Sequence, residues 1–207
     1  MYDIDGFDNS AAVVAAIHAK GAKAVCYLSV GTAEDFRSDY SQFPASVLGS
    51  GNGWPGEKWI DIRQTALLAP IMTARMDLCK SKGFDAVEPD NVDGYANSTG
   101  FPLTAADQIA FNTWIAGLAH ARGMGVGLKN DVDQTAALLP LFDFNVNEQC
   151  NEYSECAPLN AFIAAGKAVF QVEYSLTASQ FCPADNAANF DGLTKDLNLT
   201  TVRTSCR

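Results

Sequence analysis

Short runs in which apolar and polar residues alternate recur along the chain, separated by longer alanine-rich stretches with helical spacing. The alternating runs predict strands over Tyr2–Asp5, Ala24–Val30, Trp59–Arg63, Ala86–Asp90, Gly125–Lys129, Phe144–Glu148 and Ala168–Tyr174, with a last one over Thr200–Ser205. Between them, helices are predicted over Ser10–Lys20, Thr65–Ser81, Thr104–Arg122, Asp133–Leu139 and Pro158–Ala165. Lys20-Gly21, Lys82-Gly83 and Arg122-Gly123 mark helix ends, where glycine closes the last turn and the basic residue meets the negative end of the dipole. Repeated β-α units with short links predict a parallel sheet with helices outside it. Seven or eight such units predict an α/β fold of the (β/α)8 TIM-barrel type, one domain spanning residues 1–207.

Alternation also sorts the side chains by face. If the apolar positions meet the helices, then Asp3, Asp5, Tyr27, Ser29, Asp61, Glu88, Asp90, Lys129, Gln171 and Glu173 point the other way, into the barrel. One strand resists, because Phe144 and Val146 share the parity of Glu148. An inward Glu148 therefore needs a bulge or apolar neighbours below it. The polar groups gather at the C-terminal ends of their strands, the rim where barrels build their sites.

Charge narrows the ligand class. Fourteen Lys+Arg against twenty-four Asp+Glu give a net charge of −10, which argues against a nucleic-acid partner and for a cationic or neutral one. No apolar run approaches the ~20 residues of a membrane span. The two histidines, His18 and His120, sit at helix ends and offer little to a serine triad or a zinc site. Asp3, Asp5, Asp61, Glu88, Asp90, Asp93, Asp131, Glu148 and Glu173, with Lys129 among them, make a pocket dominated by carboxylates. Such a set suits acid/base or nucleophilic work on a glycosidic bond, a hard cation, or a cationic ligand; the bland alternative is a polar network that satisfies only itself. Tyr95 and Tyr174 stand near strand tips, and Trp54 lies in the turn-rich Gly51–Glu57 loop. Each suits stacking on a sugar ring, and each equally suits packing.

The six cysteines contain no CxxC. Cys150–Cys156 and Cys182–Cys206 are expected to pair, leaving Cys26 and Cys79 as buried free thiols. Disulfides and the sequons Asn97-Ser98-Thr99 and Asn198-Leu199-Thr200 lean toward secretion, although no signal peptide stands in this chain.

Seven motifs in order carry a resemblance. They are Tyr2-Asp3-Ile4-Asp5, Cys26-Tyr27-Leu28-Ser29-Val30-Gly31, Trp59-Ile60-Asp61-Ile62-Arg63, the run Lys82-Gly83-Phe84-Asp85-Ala86-Val87-Glu88-Pro89-Asp90-Asn91-Val92-Asp93-Gly94-Tyr95, Gly127-Leu128-Lys129-Asn130, Asn147-Glu148-Gln149-Cys150 and Val172-Glu173-Tyr174. The chain resembles glycoside hydrolase family 114, the endo-α-1,4-polygalactosaminidases, over nearly its whole length. The resemblance implies a (β/α)8 barrel, secretion or surface anchoring, and hydrolysis of α-1,4-linked galactosamine polymers, including galactosaminogalactan, without a cofactor. It singles out Asp90 and Glu148 as the two catalytic carboxylates, and we assign Asp90 as nucleophile and Glu148 as acid/base. From their places at the strand tips, Asp5, Tyr27, Asp61, Glu88, Asn91, Asp93, Tyr95, Lys129, Glu173 and Tyr174 are expected to line the substrate site, with Asp3, Asp5, Asp61, Glu88, Asp93 and Glu173 available to pair with the sugar's ammonium groups. The family's first strand precedes the Tyr-Asp-Ile-Asp segment, so the chain is expected to lack it. Two other readings compete: a non-catalytic carbohydrate-binding barrel and a metal-dependent hydrolase.

Overall fold

The computed structural model describes residues 1–207, which form two compact units, 1–127 and 128–207. The first holds β1 (Tyr2–Asp5), α1 (Ala11–Ala19), β2 (Ala24–Ser29), β3 (Thr32–Glu34), β4 (Leu48–Gly51), β5 (Glu57–Ile60), α2 (Thr65–Lys82), β6 (Ala86–Asp90) and α3 (Ala105–His120). Strand β7 (Gly125–Lys129) runs across the boundary. The second unit holds α4 (Thr135–Leu138), β8 (Phe144–Glu148), α5 (Asn160–Ala164), β9 (Val169–Glu173), α6 (Ala178–Ala188), β10 (Asp191–Thr194) and β11 (Thr204–Ser205).

In the first unit β1, β2, β6 and the start of β7 pair in parallel, with Asp5 beside Tyr27, Tyr27 beside Glu88, and Ser29 beside Asp90. Paired residues of a parallel ladder share a face, so Asp3, Asp5, Tyr27, Ser29, Glu88 and Asp90 lie on one side, as the alternation predicts. The opposite face carries Cys26, Leu28 and Val87, all buried. The apolar stripes of the helices are buried too: Val14 and Ile17 on α1, Leu68, Met72 and Met76 on α2, Phe111 and Ile115 on α3. A capping box closes the start of α3, where Thr104 and Asp107 exchange side-chain-to-backbone bonds. Gly83 ends α2 with φ +89°, as the Lys82-Gly83 pair predicts.

Two expectations fail in this unit. Trp59–Arg63 is not a barrel strand. The strand is Glu57–Ile60, and it pairs antiparallel with β3 and β4 in a separate three-stranded sheet. The Gly51–Glu57 turn makes a hairpin of β4 and β5, which an alternating run alone does not reveal. Cys26 and Cys79 are not free thiols: a disulfide joins them, tying β2 to α2. Both are fully buried, so the burial was legible and the bond was not.

In the second unit β8, β9 and β10 pair in parallel, and β11 returns antiparallel to β10. The final strand is thus two residues long rather than the predicted Thr200–Ser205. Cys150–Cys156 and Cys182–Cys206 pair as expected. Strand β8 runs in unbroken register, Val146 beside Phe170 and Glu148 beside Val172. Glu148 therefore shares its face with Phe144, Val146 and Phe170, and the Phe144 and Phe170 rings meet edge to face at 5.9 Å. Of the two solutions open to that strand, apolar neighbours below Glu148 are the one adopted.

The same register corrects Glu173. Gln171 and Glu173 lie on the face opposite Glu148, beside Gly192 and Thr194 of β10 and fully buried. The polar residues of β9 point toward the side covered by α6, and its apolar ones toward the side of Glu148. The rule that worked for β2 and β6 is inverted here.

Candidate active site

Asp90 ends β6, and its carboxylate accepts a hydrogen bond from the Tyr27 phenol at 2.9 Å. The chain bends sharply after it, with Asn91 in the left-handed region at φ +60°. That bend turns the Asn91 amide back to donate to Ser29 Oγ at 2.9 Å and toward Thr32 Oγ1 at 3.4 Å. The Asp90 carbonyl accepts from the Val30 and Gly31 amides at 3.1 and 3.2 Å. Gly31 is obligatory, because a Cβ there would fall 1.7 Å from the Asn91 carbonyl oxygen. The ends of β2 and β6 are thus stitched together around Asp90. Glu88, one turn of the pleat deeper, is buried.

Beyond Asn91 the segment is held by α3. Gln108 donates to Asn112 at 2.8 Å, and Asn112 donates to the Val92 carbonyl at 2.9 Å. The Tyr95 amide donates to Gln108 at 3.3 Å, and the Asp93 carbonyl accepts from Ala96 N at 3.0 Å. Asp93 and Tyr95 are both half-buried at this rim. Gln108 and Asn112 went unnoticed in the sequence; two amides four apart inside an otherwise apolar helix stripe were the available signal.

Two acids of the expected pocket are already spent on arginines. Asp5 receives Arg37 at 2.5 Å and caps the Phe7 and Asp8 amides at 2.8 Å each. Asp61, 4% exposed and lying after β5, is gripped by Arg63 at 2.7 and 2.9 Å. The Arg63 guanidinium holds the Asp61 carboxyl below the usual range, against the opposing effect of burial. Both carboxylates are thus tied to arginines of the chain itself, although Arg37 is shared by Asp5, Asp8 and Glu34. Arg37 itself also bonds Glu34 at 3.1 Å, and Arg75, fully buried, grips Asp39 at 2.7 and 3.0 Å and donates to the Ser29 carbonyl.

In the second unit Glu148 ends β8, half-buried. The Tyr174 phenol donates to its Oε1, and Lys129 Nζ lies 3.4 Å from its Oε2. Its backbone amide donates to Asn130 Oδ1 at 2.8 Å, and Asn130 stands in the left-handed region at φ +47°. Glu148 is therefore held at both ends, side chain and backbone. Gln149 bends the chain at φ +64°, and Cys150 N donates to Asn147 Oδ1 at 3.0 Å. Lys129 is an internal ion-pair partner, 6% exposed.

Glu173 does other work. Its Oε1 accepts from the Asn151 amide at 2.9 Å and from Gln171 Nε2 at 2.6 Å, anchoring the disulfide-closed loop after Glu148. Asn151 also donates to Asp185 of α6 at 2.8 Å. Burial pushes the carboxyls of both Glu173 and Asp185 up.

Each unit thus ends a strand in a carboxylate held by a phenol, Asp90 by Tyr27 and Glu148 by Tyr174, and carboxylates are the groups that glycosidases use. The whole chain, residues 1–207, matches the model of glycoside-hydrolase family GH114, and the protein belongs to that family; it is a glycoside hydrolase. The crystal structure of Aspergillus fumigatus Ega3 in complex with galactosamine is 41% identical, with a TM-score of 0.93 over 99% of this chain and 87% of that one. This places the fold in the α/β (β/α)8-barrel class. The glycoside hydrolase domain of PelA from Pseudomonas aeruginosa shares the fold at 12% identity and a TM-score of 0.74, over 98% of this chain and 89% of that one. An uncharacterized protein of Deinococcus radiodurans is 29% identical over 93% of this chain and 68% of its own length.

Proposed function

We propose that the enzyme cleaves α-1,4-linked galactosamine polymers internally, with Asp90 and Glu148 as its two carboxylates. The observation that carries this reading is the 41% identity, across nearly the whole chain, to a protein whose structure holds galactosamine. Asp90 attacks the anomeric carbon while Glu148 gives its proton to the leaving glycosidic oxygen; Glu148 then takes a proton from water, which releases the sugar from Asp90. Tyr27 fixes the plane of the Asp90 carboxylate, and Tyr174 and Lys129 fix that of Glu148. Glu88, Asn91, Asp93 and Tyr95 are the further residues we assign to the substrate; Asp5, Asp61 and Glu173 hold the rim instead. Three disulfides call for an oxidising compartment, and we place the enzyme outside the cell, secreted or held at the surface.

The test is hydrolysis of deacetylated α-1,4-polygalactosamine with products read by mass spectrometry. A ladder of short oligomers is expected from the wild type. Asp90→Asn and Glu148→Gln should each lower kcat by about a thousandfold or more, the scale of losing a catalytic group outright. Near-normal turnover by either variant overturns that residue's assignment.

A further inference from the structure

The three-stranded sheet β3–β5 grows directly out of the Asp90 rim. Thr32, its first residue, hydrogen-bonds Ser29 at 2.5 Å and receives the Asn91 amide. At the far end of this sheet two large aromatic rings stand in solvent, Phe36 at 61% and Trp54 at 59% exposure. A tryptophan that anchors a loop buries its ring, so Trp54 is no anchor. The two residues belong to the same end of the sheet, because the Asp35 amide donates to the Gly56 carbonyl at 2.8 Å.

The turn that carries Trp54 is built to hold it. Asn52 Oδ1 accepts from the Trp54 amide at 3.0 Å, and Asn52 Nδ2 donates to Glu57 at 2.7 Å. The Trp54 carbonyl accepts from the Glu57 amide at 3.2 Å. Gly56 adopts φ +84°, and the exposed Asp35 carboxylate packs where its Cβ would be, at 2.5 Å. Phe36 is braced by Arg37, whose guanidinium lies 5.1 Å from the ring centroid and whose charge is met by Asp5, Asp8 and Glu34.

We propose that Phe36, Trp54 and Asp35 form a remote subsite that grips an amino-sugar unit of the polymer some distance along the chain from the one being cleaved. Rings on a hydrogen-bonded turn present flat apolar faces to the C–H face of a pyranose at little entropic cost. An ammonium group over an aromatic face gains a cation–π attraction, and Asp35 supplies the opposite charge. Strand β3 carries the chain about 7 Å from Thr32 to Glu34 at ~3.3 Å per residue, and the turn closed by the Arg37 amide on the Glu34 carbonyl at 3.0 Å places Phe36 at the strand's end away from Asp90. The inference rests on the proposed polymer-cleaving activity and adds to it a reason for preferring long chains.

The experiment compares Phe36→Ala, Trp54→Ala and the double variant with the wild type on long deacetylated polymer and on a short galactosamine oligomer. The polymer-to-oligomer ratio of kcat/KM should fall about tenfold in the double variant, the scale of losing one or two exposed aromatic–cation contacts. Thermal midpoints should match the wild type, since neither ring is buried. Asp35→Asn should weaken binding of deacetylated polymer and spare the N-acetylated form. A ratio unchanged in the double variant overturns the subsite, as does an equal loss on both substrates. Polymer binding is also measured in the Asp90→Asn background, with and without the two aromatic substitutions. If the wild type leaves the polymer intact, the activity reading fails, while an aromatic-dependent loss of binding still supports the subsite and its absence refutes it.

Discussion

Replacing Glu173 tests whether the acid behind the Glu148 loop acts as a neutral strut. The side chain is fully buried, and its Oε1 serves as acceptor for two donors, the Asn151 amide and Gln171 Nε2. Oε2 is buried with no hydrogen-bond partner, and burial there favours the neutral form of the carboxyl. Glu173→Gln copies that neutral shape and keeps the acceptor, so its unfolding free energy at pH 7 should stay within about 1 kcal/mol of the wild type. Glu173→Leu removes the acceptor and strands both donors in the interior, at about 1–3 kcal/mol each, or roughly 2–6 kcal/mol together. Urea unfolding measured from pH 4 to 8 reads both. The native pKa of Glu173 is raised above its ordinary 4.5, so its contribution is fully present below that value and falls away as pH rises through the native pKa. The Gln variant should therefore gain on the wild type as pH rises. A Gln variant as unstable as the Leu variant at pH 7 would refute the reasoning, because it would mean an ionised carboxylate is required. Loss of catalysis by Glu173→Gln at unchanged stability would instead return this residue to the substrate site.

Two further outcomes follow from other parts of the fold. Replacing Cys26 and Cys79 together by Ala opens a cross-link spanning 53 residues, which should cost about 4 kcal/mol by loop entropy; a change below about 1 kcal/mol in denaturant titration would contradict this. Burial alone would raise the Asp85 pKa, but Lys23, the Ala24 amide and His18 together hold it down to about 2. Its stabilisation, about 1 kcal/mol after allowing for solvent screening at this partly exposed site, is complete above the ordinary carboxylate pKa and vanishes as pH falls through 2. The stability gap between wild type and Asp85→Ala should shrink steadily from about pH 4 down to pH 2, and a gap that stays constant over that window would count against the assignment.

The parallel strands were legible wherever a strand had one apolar face and one polar one, as in Tyr2–Asp5 and Ala86–Asp90, whose bounds the structure repeats. Strand β10 escaped because Asp191-Gly192-Leu193-Thr194 offers a single apolar side chain to a pattern search. Helix α6 was hidden by Pro183, although Thr177 and Gln180 form a capping box at its start that the spacing of those residues allows one to find. Ile60 and Ile62 alternate as a barrel strand would, and only the antiparallel partners of β5, set by residues far away in sequence, reveal its other sheet. In the site, alternation brought Asp90 and Tyr27 to one face but had no means of preferring Asp90 over Glu88. Glu173 was misplaced because a strand with polar residues on one face says nothing about which face that is; α6, with Asp185 waiting there, decides it.

Gly31 gives a practical handle on the wider family. Its backbone lies so close to Asn91 that no other amino acid fits without parting the ends of β2 and β6. A related sequence that carries any side chain at this position, however well the rest aligns, must have rebuilt the rim that holds Asp90. Screening genomes for that one position would thus separate chains that keep this arrangement from those that have abandoned it, before any protein is made.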